Sequence, residues 1–219
     1  DAPLVPAKDL RSEWRSRAPL PPVPPSALLV PVLFGLAPAA HRPVLAAATS
    51  GLFWVAVLLV AVLAVQRSTA IETTDGARRA LLLAGIEPAA VFLGKAAAVA
   101  VQLLAVELVL IAGVIVLYDA AVESVPLLLA TCAVATVGIA AAGSLLGALV
   151  AGVRARETVL PILLLPVLAP VLIGATRAFD DALGTAAVDG WAWLGLLAGF
   201  GAINTVLGAL AYGVLLEET

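Results

Sequence analysis

Methionine is missing from these 219 residues, and cysteine and histidine occur once each, as Cys132 and His41. A single cysteine excludes an intramolecular disulfide, and one inside an apolar run reads as a small packing residue. Charge is scarce as well. Asp, Glu, Lys and Arg make up 12% of the chain, about half the share usual in soluble domains. No G-x-x-x-x-G-K-[ST] occurs, so nucleotide hydrolysis would have to come from another protein. Apolar residues do not alternate with polar ones, which argues against a transmembrane barrel. The apolar stretches hold almost no clustered ionisable side chains, which speaks against an intramembrane enzyme. The net charge of −3, with its basic residues scattered, offers nothing for nucleic acid.

What is abundant is apolar length. The chain is 63% hydrophobic, with a mean hydropathy of +1.12. A bilayer core takes roughly 20 apolar residues per helix, and spanning backbone must satisfy its own hydrogen bonds. The expected fold is therefore an all-α integral membrane protein with six transmembrane helices and both termini cytoplasmic. The spans fall at Ser26–Ala39, Val44–Val65, Ala89–Tyr118, Pro126–Ala151, Thr158–Ala178 and Trp191–Leu216. Basic residues near span ends mark the cytoplasmic side. With the N-terminus inside, ten of the twelve fall there: Lys8, Arg11, Arg15, Arg17, Arg67, Arg78, Arg79, Lys95, Arg154 and Arg156. Arg42 and Arg177 fall outside, beside the acidic residues Asp119, Glu123, Asp180, Asp181 and Asp189. No cleavable leader is expected at the N-terminus.

Residues 1–25 read as an N-terminal interfacial (elbow) helix followed by a Pro-rich entry, and 26–219 as the transmembrane domain. In the elbow, Leu10 and Trp14 share one helical face, while basic residues cover much of the rest, a pattern suited to the headgroup level of an anionic leaflet. Pro19 to Pro25 then turns the chain. The elbow either anchors the protein to lipid or also braces a cytoplasmic partner.

Between the second and third spans lies a polar island, Gln66 to Pro88, QRSTAIETTDGARRALLLAGIEP. Asp75 suits an N-cap, Gly85 a C′ position, and Pro88 ends the segment. The short helix so defined would be marginal in water and must pack on something, either its own bundle or a cytoplasmic protein.

Three features of the spans matter for mechanics. Pro161, Pro166 and Pro170 each remove a backbone donor from the fifth span, so kinks are expected, and the freed carbonyls need side chains or water. Gly143 and Gly147, spaced as G-x-x-x-G, suit close helix contact within the bundle, with a homodimer seam as the sharper alternative. Glu107 is an acid deep in the third span with no assigned role. Such residues are candidates for function, although a hydrogen-bonded, protonated carboxyl serving the bundle is the plainer reading. Asn204 is a partner for it by residue type alone.

The stretch Gln66 to Ala96, the proline spacing in RETVLPILLLPVLAPVLIGATRA (Arg156 to Ala178), and a length of about 220 residues with six spans resemble the heme exporter protein B family (CcmB). The resemblance covers nearly the whole chain, and the fifth-span pattern is its most specific part. It implies a type-2-like ABC permease subunit that works in cytochrome c maturation in the bacterial inner membrane. ATP would be hydrolysed by a cytoplasmic ATP-binding subunit docked on the coupling loop 66–88. The matching positions here are Glu72, Asp75, Arg78, Arg79 and Leu81, with a second contact at Arg154, Arg156 and Glu157. Further partners implied are a heme-handling membrane subunit, a small single-span subunit and a periplasmic heme chaperone. The alternative is a type-2-like exporter permease for a lipid or drug.

Heme would be cargo of the complex rather than a cofactor of this chain. Its iron takes His, Met, Cys or Tyr, and the chain is poor in these; it also has no C-x-x-C-H. His41 and Arg42, in the short outer loop, are the candidate heme contacts. Ligation is thus expected from another subunit.

Overall fold

The computed structural model describes residues 42–72, 87–118, 120–153 and 155–218. They form five α-helices: α1 (Arg42–Glu72), α2 (Pro88–Tyr118), α3 (Val125–Leu149), α4 (Arg156–Ala182) and α5 (Gly190–Glu218). Among the described residues there is no strand. Each helix contains a segment long and apolar enough to cross a membrane: Ala48–Ala70, Pro88–Val116, Val125–Leu149, Arg156–Ala182 and Gly190–Val214. These are the second to sixth spans expected from sequence. The first, 26–39, lies outside the described residues, as does the elbow with Leu10 and Trp14.

Two boundaries differ from the sequence reading in a way that bears on function. The second span was expected to end at Val65, yet α1 continues to Glu72 and takes residues 66–72 of the polar island into the helix. Nothing in QRSTAIE breaks a helix, and the backbone gains a bond for each residue added. Arg156 and Glu157, expected in a loop, form the first turn of α4 instead. Glu157 there complements the positive end of the helix dipole.

The order of the helices is set by small residues. Between membrane helices there is little hydrophobic drive, so close backbone approach and packing decide who neighbours whom. α3 is the hub and packs against all four other helices. Its buried positions include Ala140, Ala141, Ala142, Gly143, Ser144 and Gly147. A Cβ added at Gly143 would lie 2.5 Å from Val65 Cγ2, and one at Gly147 2.6 Å from Thr69 Oγ1. The G-x-x-x-G pair is therefore the seat of α1 within the same chain. Gly201 of α5 meets the backbone of Gly138 of α3, with a Cβ there 3.6 Å from Gly138 Cα. Gly208 leaves room for the Phe92 ring, which packs at 5.6 Å from the Tyr212 ring. By contrast, α5 faces outward along most of its length: 17% of its span is buried, against 61% for α1 and α3. Its inner side packs against α3, α4 and α2.

α4 runs through Pro161, Pro166 and Pro170 without interruption. Leu160, Leu164, Leu168, Val171, Ala175 and Phe179 are buried at spacings of three and four, so one continuous face meets the bundle. Pro166 and Pro170 lie on the exposed side.

Candidate functional site

The C-terminal ends of α1 and α3 and the N-terminal ends of α2 and α4 lie at one end of the bundle, and the C-terminal ends of α2 and α4 and the N-terminal ends of α3 and α5 at the other. The first end holds the described part of the expected docking region. α1 brings Gln66 to Glu72 there, and α4 begins there with Arg156 and Glu157. Asp75, Arg78, Arg79, Leu81 and Arg154 lie outside the described residues, and Glu72 and Arg42 are described by their backbone alone.

At this end a side-chain bond bridges α1 and α4. The Gln66 side-chain amide Nε2 donates to the Glu157 carbonyl at 2.9 Å. In an α-helix that carbonyl would accept from the amide of residue 161, but residue 161 is proline and has no N–H. A glutamine from the neighbouring helix thus supplies the missing donor. One turn further along, the Thr69 hydroxyl donates to its own helix at Val65 O, 2.9 Å away, while its oxygen faces Gly147. The tail of α1 is consequently held from two sides, by α3 through packing and by α4 through a hydrogen bond.

The opposite end is acidic and closed by bonds within and between its connections. Glu123 N and Ser124 N both donate to Ala182 O, at 2.9 and 3.1 Å. Asp181 Oδ2 accepts from Gly190 N at 3.0 Å, and Asp189 Oδ1 accepts from Ala192 N at 3.2 Å, which caps α5. The Thr185 hydroxyl donates to Asp180 O at 3.1 Å. Gly184 makes the turn with φ +65°, and a Cβ there would run into the Glu123 carboxylate. Below this cap, Phe53 stacks on Phe179 at 4.5 Å, and Trp54 meets both rings edge-on at 5.3 and 5.8 Å. A groove of about 460 Å³ opens beside them between α1 and α4, walled by Trp54, Val55, Leu172 and Ile173 and rimmed by Arg177 and Asp180. None of its lining residues is a His, Met, Cys or Tyr, the side chains that bind heme iron. His41 lies outside the described residues.

Glu107 is fully enclosed on α2, nine residues before the end of its span. Thr136 of α3 donates its hydroxyl to Glu107 Oε1 at 2.6 Å, and the Cys132 thiol, one turn away on the same helix, sits beside the same carboxyl. Oε2 has no hydrogen-bond partner in the structure. Asn204, offered by type as a partner, is not one. Its side-chain amide donates to Phe200 O of its own helix at 3.0 Å, the ordinary fate of a short polar side chain in a membrane helix. Sequence reasoning missed Thr136, because a threonine in an apolar run carries no periodic signal. It also passed over Gln66, although the orphaned carbonyl four residues before Pro161 was readable. Among the described residues no group of three or more His, Cys, Asp or Glu could hold a metal ion.

These features define an all-helical, multi-pass membrane protein whose polar groups are either structural or gathered at its two ends. Residues 4–218 match the family model of the CcmB protein, and the chain belongs to that family. Membership makes it a membrane subunit connected with the heme exporter and cytochrome c maturation ABC system. Among curated proteins none matches the chain.

Proposed function

We propose that this chain is the permease subunit through which ATP hydrolysis on a separate subunit acts on heme export, or on release of a heme-loaded periplasmic chaperone. The observation that carries this reading is the CcmB family match across residues 4–218, in a chain with no nucleotide-binding motif. The protein resides in the bacterial inner membrane with both termini cytoplasmic. The orientation rests on the bias of basic residues toward the end that carries the polar island. The ATP-binding subunit docks on that island through Glu72, Asp75, Arg78, Arg79 and Leu81, with a second contact at Arg154, Arg156 and Glu157. A heme-handling membrane subunit, a small single-span subunit and the chaperone complete the assembly. Heme is held by those partners, and His41 and Arg42 at most touch its edge.

Copurification tests the docking step. The double variant Arg78→Glu/Arg79→Glu should lose an ATP-binding subunit that the wild-type chain retains, with the chain still present in the membrane. Equal retention by both would remove the island from the docking surface.

A further inference from the structure

We propose that Gln66 is a positioning residue that couples the two cytoplasmic connections of the permease; the coupling part of this inference rests on the function proposed above. The argument begins with a backbone deficit. Pro161 leaves the Glu157 carbonyl without its helical donor at the first turn of α4. The first turn of α4 is closed by Thr158 N and Val159 N on Ala155 O, and the bond that would follow it at Glu157 is missing. The Gln66 amide occupies the vacant donor position from another helix, 91 residues away in sequence.

The place of this bond gives it a mechanical consequence. Gln66 is the first residue of the polar island, in the turn of α1 that also carries Val65 and Thr69. Those two neighbours are locked against Gly143 and Gly147 of α3, where even a methyl group would collide. α1 therefore cannot slide along α3 at this level, and its remaining freedom is to carry α4 with it or to release it. Glu157 is both the acceptor of the bond and part of the second docking segment. A push on the island is transmitted to the head of α4 through Gln66, so the two connections move together. An ordinary residue at position 161 would satisfy the Glu157 carbonyl within α4 and make this bond from α1 unnecessary.

Hydrogen exchange on the full-length chain in lipid nanodiscs tests the link, and ATP turnover of the assembled complex tests its use. Gln66→Ala should speed exchange in residues 156–160 by about tenfold, the weight of one hydrogen bond. In a Pro161→Ala background, where the restored amide satisfies Glu157 O, the same substitution should change nothing. In the complex, Gln66→Ala should lower kcat for ATP and leave KM for ATP and retention of the ATP-binding subunit unchanged. Introducing Pro161→Ala alone should also lower kcat, since it makes the glutamine redundant. Unchanged exchange in Gln66→Ala, or equal acceleration in both backgrounds, overturns the link. Faster exchange with an unaltered kcat overturns the coupling role. If the wild-type chain retains no ATP-binding subunit at all, the proposed function fails and the coupling role with it, while the exchange result still decides whether the link exists.

Discussion

The two ends of the bundle are held together in different ways. At the acidic end, carboxylates and carbonyls close short connections onto their own helices, and three aromatic rings fill the space beneath. Some bonds there are local, and Glu123 N and Ser124 N reach across to Ala182 O at the end of α4. At the other end, a side chain of α1 bonds to a proline-orphaned carbonyl of α4, above a seam of glycines. An end whose connections are tied to each other by several backbone and side-chain bonds resists opening as a unit. A side-chain bond between two helices can be made or broken, giving two discrete arrangements, which is the physical requirement for passing on a movement. In the proposed function, force enters at the end where a glutamine bridges α1 and α4, and the acidic end stays closed.

Substitutions can break this comparison at either end. The largest effect is expected from Phe179→Ala, which removes the ring that stacks on Phe53 and meets Trp54. It should cost on the order of 3 kcal/mol and lower the thermal midpoint in detergent, because the cavity lies under a rigid cap that cannot collapse into it. Next comes Gly143→Leu at the glutamine-bridged end. The first carbon of the new side chain already meets Val65, so overpacking should cost about 1–3 kcal/mol and loosen the tail of α1, visible as faster hydrogen exchange in residues 60–70. Gly143→Leu leaving exchange there unchanged would mean that α1 is not seated on α3. Asp189→Ala removes the N-cap of α5 and should cost about 1 kcal/mol, with its exchange effect confined to the acidic end. Spread of that effect to residues 66–72 would show that the two ends are not independent.

The smallest effect tests the middle. A double-mutant cycle with Glu107→Gln and Thr136→Val, read by unfolding in mixed micelles, should give a coupling of about 0.6 kcal/mol, the average for interhelical hydrogen bonds in membranes. Glu107→Gln alone should be near neutral for folding, since the amide oxygen still accepts from Thr136. A cost above about 2 kcal/mol for this single change would show that the acid does more than join α2 to α3.

Much of this was legible along the chain. Spans of apolar residues long enough for a bilayer can only be helices, so the class and the second to sixth spans followed from length and composition. The role of Gly143 and Gly147 as a contact within the bundle was readable from their spacing, although the identity of the partner helix was not. The end of α1 was misplaced because polarity was read as loop; a helix that leaves the apolar layer can continue into water for as long as nothing breaks it. The pairing of Glu107 with Thr136 was invisible, because 29 residues and a turn separate two side chains whose proximity depends on the rotation of α2 against α3. The docking residues at Asp75, Arg78, Arg79 and Leu81 rest on the sequence resemblance alone.

By itself, then, the sequence determined the apolar solvent this protein lives in, the helical state of its spans and, through its family, the system it is connected with. Those properties depend on composition, length and motif, which need no neighbour to be expressed. Only the tertiary structure decided which helices touch. It alone showed that α3 is the hub, that an acid and a threonine meet between α2 and α3, and that Gln66 satisfies the carbonyl left without a donor by Pro161. In lipid, apolar faces are nearly interchangeable, so partner choice is left to the fit of small residues and to the few polar groups that must find one another.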